Sequence, residues 1–142
     1  MSRFLYEKSI SYQGNLIIPF LFARVGGEMI YSYAVLSEKG YKSQFHKAKN
    51  PAGLCSNNLR EILEIAKKHL DEHHESSLTN DYFQQRYTYQ NHLIILHQEE
   101  VKCYYDHYLP HELRNIAAPT LFVDADECMD WIKQQLDRHR VV

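Results

Sequence analysis

Asn58-Leu-Arg-Glu-Ile-Leu-Glu-Ile-Ala-Lys-Lys-His-Leu-Asp-Glu-His73 decides how the chain is read. Leu59, Ile62, Leu63, Ala66 and Leu70 recur at three- and four-residue steps, which puts one apolar stripe on a helix. Asn58 is placed to cap that helix, with Glu61 reaching back from the third position; Ser56 is a second capping residue. A near-echo closes the chain. Ile65–His73 aligns with Trp131–His139, and Lys67/Lys133, Leu70/Leu136, Asp71/Asp137 and His73/His139 match. The second helix has its own cap in Asp124, Glu127 at the third position, and a stripe of Cys128, Trp131, Ile132 and Leu136. Asp126 and Asp130 sit near its positive end, and Lys133, Arg138 and Arg140 toward its negative end, as the macrodipole prefers.

Each helix follows strand-like sequence. Residues 4–12 alternate loosely and read as an opening strand, followed by a Gly14-Asn15 turn. Leu16 to Arg24 is apolar on both sides, the pattern of a strand covered on both faces, with Pro19 pushing it toward an edge or a bulge. Gly26-Gly27 is a hairpin signal, and Met29 to Leu36 returns as the next strand. Ser76 to Asp81 reads as a polar connector. Tyr82 to Leu96 reads as one long strand or two collinear ones, with Leu93–Leu96 central; Val101 to Tyr105 alternates as another. His111 to Ile116 suits one helical turn and Pro119 to Val123 a last short strand. The expected fold is α+β: an antiparallel sheet of five to six strands with two helices packed on one face. The chain is expected to form a single domain over residues 1–142, with a second reading as two pseudo-repeated β-β-α halves, 1–75 and 82–142.

A length of 142 residues suits one domain with a sizeable core, and 44% apolar against 24% charged residues excludes a disordered chain. The net charge of −2 argues against a nucleic-acid coat. Three scattered cysteines without a Cys-x-x-Cys argue against a disulfide framework and for a reducing cytoplasm. The opening residues lack the apolar core of a signal peptide, and the longest apolar run, Leu16 to Ala23, is too short to span a bilayer. No membrane association is expected.

Three residue sets could carry function. His69 and His73, four apart on a helix, could share one metal ion, with His107 and His111 as further ligands. Yet no Glu stands in the His-Glu-x-x-His position, and His73 falls on the apolar stripe. Lys39, Lys42, Phe45, His46, Lys47 and Lys49 interleave basic and aromatic groups, a pattern able to track single-stranded nucleic acid. The same segment reads more simply as a solvated loop pinned to the core by Tyr41 and Phe45. Tyr31, Tyr33, Tyr87, Tyr89 and Tyr105 lie on strand-like sequence. A sheet with helices on one face leaves an aromatic far face for a partner, and a homodimer is the commonest solution. No nucleophile elbow, phosphate loop or dinucleotide fingerprint occurs, so no catalytic residue and no cofactor is assigned.

The reading that results is a small cytoplasmic binding protein, an adaptor or regulator. It is expected to be homodimeric, with an unidentified protein partner. A nucleic-acid-binding accessory protein is the alternative, and a histidine-based metal enzyme the third.

Overall fold

The computed structural model describes residues 2–73 and 82–140, the last two as backbone only. The chain divides into two compact units, Met1–Gln84 and Gln85–Val142. Each is α+β and antiparallel. The sequence reading of a single five- to six-stranded sheet is corrected: among the described residues, seven strands form two sheets, one of three strands and one of four. The polar stretch from Ser76 to Asp81, read as a connector, lies outside the described residues.

In the first unit, β1 (Ile10–Tyr12), β2 (Asn15–Val25) and β3 (Glu28–Ser37) pair in that order. The opening strand is shorter than expected because Tyr6–Lys8 makes a 3-10 turn first. Pro19 sits beyond the end of β1, opposite Tyr33 of β3, so its missing N–H takes nothing from a ladder; its carbonyl instead accepts the Leu5 N–H. The strand then bulges between Leu21 and Ala23. The outer edge of β3 is already used. Lys47 and Asn50 N–H donate to the Val35 and Tyr33 carbonyls, Val35 N–H donates to Ala48, and Tyr31 exchanges bonds with Ser56. That edge offers no ladder for another strand, which is why the sheet stops at three.

Helix α1 (Leu59–Glu72) packs on β2 and β3. Asn58 Oδ1 accepts the Glu61 N–H at 3.0 Å, as the capping pattern requires. Ile62, Ala66 and Leu70 join Ile17, Tyr33, Val35 and Phe45 in one core. Fully burying each large aliphatic there is worth about 1.5–3 kcal/mol.

In the second unit, β4 (Arg86–Tyr89), β5 (His92–Gln98), β6 (Cys103–Leu109) and β7 (Glu112–Asn115) pair in chain order. The expected long strand from Tyr82 is broken by a tight hairpin at Gln90-Asn91, both at positive φ (50° and 67°). Gln13-Gly14 makes the same turn between β1 and β2, one residue earlier than the sequence reading placed it. The helical turn expected at His111–Ile116 is strand β7, and the strand expected at Pro119–Val123 shrinks to a single bridge from Phe122 to Cys103. Helix α2 (Ala125–Arg140) packs on β6, with Asp124 accepting the Glu127 N–H at 2.8 Å. Cys128, Ile132 and Leu136 join Ile94, Leu96, Cys103, Tyr105 and Phe122 in a separate core. The two helices therefore each cover their own sheet, not one face of a shared one.

The two units are built alike in detail, and this explains the echo between the helices. Asp71 Oδ1 accepts the Tyr12 hydroxyl at 2.7 Å and Gln13 Nε2 at 3.1 Å. Asp137 Oδ1 accepts the Tyr89 hydroxyl and Gln90 Nε2, each at 2.7 Å. Lys67 lies over the Tyr12 ring and Lys133 over the Tyr89 ring, at 5.7 and 5.5 Å. Buried Tyr33 accepts the Ala52 N–H through its hydroxyl, and Tyr105 the Ala118 N–H. The matched Lys, Leu and Asp of each helix tie it to the first hairpin of its own sheet.

Candidate functional site

The second unit holds a largely apolar cleft of about 520 Å³. Its floor is β5 and β6, through His92, Tyr105 and His107; its wall is α2, through Trp131, Ile132 and Leu136. Gln90 and Gln135 add side-chain amides, and Ile116 and Ala118 close the side. A volume of several hundred Å³ with few polar groups is the usual scale of a ligand pocket.

The polar heart of the cleft is a histidine pair. His92 and His107 stand opposite each other across β5 and β6, and Nδ1 of His92 lies 2.8 Å from Nε2 of His107. One ring must donate and the other accept, so the contact needs at least one neutral imidazole. Burial, together with the neighbouring His92, pushes His107 down to about 4, and burial lowers His92 as well. Both are uncharged at neutral pH. The backbone under His107 is fixed from behind. Its N–H donates to Asn115 Oδ1, Asn115 Nδ2 donates to Asp106, and the other Asp106 oxygen meets His97 Nε2 at 2.8 Å. Adjacent Asp106 and His107 thus project to opposite faces of β6, as a strand requires.

The residues singled out from the sequence fall as follows. His69 and His73 do come together, their rings stacked at 4.3 Å, but against Phe45 and without a third ligand. His69 Nδ1 is buried with no hydrogen-bond partner, and burial lowers its pKa. His107 meets His92, while His111 is exposed in the turn before β7. Among the described residues no three His, Cys, Asp or Glu side chains gather as a metal site. In the lysine segment, Phe45 is buried in the first core, His46 Nδ1 accepts the Ser37 N–H, and Lys49 lies over the Phe4 ring. Lys47 N–H bonds the edge of β3; Lys39 precedes a 3-10 turn that Lys42 ends. Phe45 pins this loop, whereas Tyr41 is 89% exposed and does not.

Of the five tyrosines, Tyr33 and Tyr105 are core residues and Tyr89 holds Asp137; Tyr31 is half-buried and Tyr87 lies at the surface. Leu16, Ile18, Ala34 and Leu36, and likewise Leu93 and Ile95, point away from the helix side and are fully buried.

Cysteine chemistry is closed off by packing. Cys103 and Cys128 lie together inside the second core, and burial pushes the Cys128 thiol up to about 12 and raises that of Cys103. Cys55 is exposed. A thiol probe at neutral pH is therefore expected to label Cys55 alone in the native protein. The other two should react only after denaturation. Fast native labelling of Cys103 would show its core to be open.

No protein-family model, curated protein or solved structure matches this chain. The cleft therefore stands on its own geometry. Of its lining, the sequence pointed to His107 and Tyr105 in other functional roles and to Trp131, Ile132 and Leu136 as the buried stripe of the second helix. Gln90 and His92 carried a signal that was there to be read: Thr88-Tyr-Gln-Asn-His-Leu-Ile-Ile95 parallels Ser11-Tyr-Gln-Gly-Asn-Leu-Ile-Ile18. Among the described residues, no helix is long and apolar enough to cross a membrane.

Proposed function

We propose that this protein acts by binding a partner, in the manner of an adaptor or regulator, and that the cleft of the second unit is where it binds. The observation that supports this is the cleft itself: an apolar hollow floored by a neutral, hydrogen-bonded imidazole pair. Such a pair suits recognition better than proton transfer. A base held near 4 has little driving force to accept a proton at neutral pH. The nearby thiols are buried in the core, so among the described residues no activated thiol faces the hollow. Free cysteines fit a reducing compartment, the cytoplasm being the simplest.

The test is chemical-shift mapping with a set of uncharged apolar fragments, aliphatic and aromatic together. Shifts gathering at His92, His107 and the Trp131 indole are the expected result. Shifts scattered elsewhere, or none at all, would remove the cleft as the binding site.

A further inference from the structure

The first unit shows what fills such a hollow. Phe45, from the loop between β3 and α1, is buried with Tyr33, Val35, Ala66 and Leu70. Its ring meets His69 edge-on at 5.1 Å. Two registers give the counterparts. The pairs Ile17–Val35 and Ile94–His107 set β3 against β6, so His107 stands where Val35 does and Tyr105 where Tyr33 does. The matched Leu70/Leu136 and Asp71/Asp137 set α1 against α2, so Ile132 answers Ala66 and Gln135 answers His69. Tyr105, His107, Ile132, Gln135 and Leu136 all line the cleft of the second unit.

The difference is the connection. It runs over residues 38–58 in the first unit but only 110–124 in the second, six residues shorter. The shorter path spends its length on β7 and brings no side chain in Phe45's place. Among the described residues, the second unit thus keeps the seat and lacks an occupant from its own connection.

We propose that this seat receives an uncharged aromatic side chain, phenylalanine or tyrosine, presented by a polypeptide partner. This rests on the cleft being the binding site. Two further observations favour an uncharged ring, the first over an aliphatic group and the second over a charged one. The hollow is walled by rings, with Tyr105 at 6.2 Å from Trp131 and 6.4 Å from His107, within the range at which aromatic rings attract edge to face. Its polar groups are amides and neutral imidazoles, which suit the backbone flanking a side chain and offer no counter-charge to a charged one. The occupant of the first seat is itself a side chain delivered by a stretch of polypeptide, the loop in which the Phe45 backbone N–H donates to Ser43 Oγ.

The experiment titrates the whole protein with capped Gln-Phe-His, capped Gln-Leu-His and capped Gln-Ala-His, and with benzyl alcohol as a free ring. It reads the fluorescence of Trp131, the single tryptophan, and the His107 imidazole signals. Saturable binding of the Phe peptide, about tenfold or more tighter than Leu or Ala, is expected. Filling the seat by Gln135→Phe should abolish it; should that variant melt early, Ile116→Trp, at a more exposed wall position, serves instead. Equal binding of the Leu peptide would overturn the aromatic preference and leave the cleft reading standing. Binding of benzyl alcohol without the Phe peptide would overturn the polypeptide source alone. Binding of no probe would sink both. Binding that survives the filled variant while it remains folded would place the occupant elsewhere.

Discussion

Replacing His107 with valine, the residue at the counterpart position in the first unit, should flatten the acid limb of this protein's stability curve. The wild-type fold holds His107 near 4, against an ordinary imidazole value of 6.5. The cause is burial first and the facing His92 second. The folded state therefore favours the neutral ring. Above about pH 6.5 neither folded nor unfolded chains protonate it, and it has no effect on the pH dependence. As pH falls from 6.5 toward 4 the unfolded chain takes up a proton that the native chain refuses, and stability falls. Below 4 both states are protonated and the loss stops growing. A gap of about 2.5 pH units corresponds to about 3 kcal/mol. His92 and His69, also lowered by burial, act in the same direction. Melting temperatures measured from pH 7.5 to 4 should drop steeply in the wild type and much less in His107→Val. At neutral pH the variant should lose only the His92 hydrogen bond, about 1 kcal/mol, an offset separate from the acid limb. An acid limb unchanged by the substitution would mean that the imidazole pair is not held neutral by the fold.

Truncating Ile17 or Ile94 to alanine should be among the most damaging single changes. Both are fully buried, each at the centre of its own sheet and facing its own helix. Removing most of such a side chain forfeits its transfer free energy and leaves a cavity, together about 2–5 kcal/mol. The two sites are counterparts, so urea midpoints should fall for both. Met29→Ala, a change of similar size at a half-exposed position, should barely register. If either isoleucine truncation costs under about 1 kcal/mol, that unit's core has been misplaced.

Much of the local structure was legible in the residues. Asn58 and Asp124 announced helix starts because a side-chain oxygen one residue ahead of an apolar stripe has few other uses. Gly26-Gly27 announced a hairpin because both residues sit at positive φ, 57° and 85°. The continuous apolar runs Leu16–Phe20 and Leu93–Leu96 announced strands without a wet face. The Gln90-Asn91 turn was missed because neither residue is glycine, although asparagine tolerates that conformation. Strand β7 was missed because Glu112-Leu-Arg-Asn115 has the composition of a helical turn. Only pairing with Tyr108 and Leu109 draws it out straight.

Left to itself, the sequence determined the elements that rest on near neighbours: two capped helices with one apolar stripe each, the Gly26-Gly27 hairpin, and an α+β class. Tertiary structure alone decided how many sheets there are and where the cleft lies. The sheet count turned on loop residues 47–56 consuming the outer hydrogen bonds of β3, a contact between segments that no local periodicity encodes. The cleft turned on one aromatic ring: where the connecting loop is long enough to deliver Phe45 the hollow is filled, and where six residues fewer follow the strand it stays open. Whether a side chain reaches a distant seat depends on path length and on what already occupies the edge, and those are properties of the folded chain.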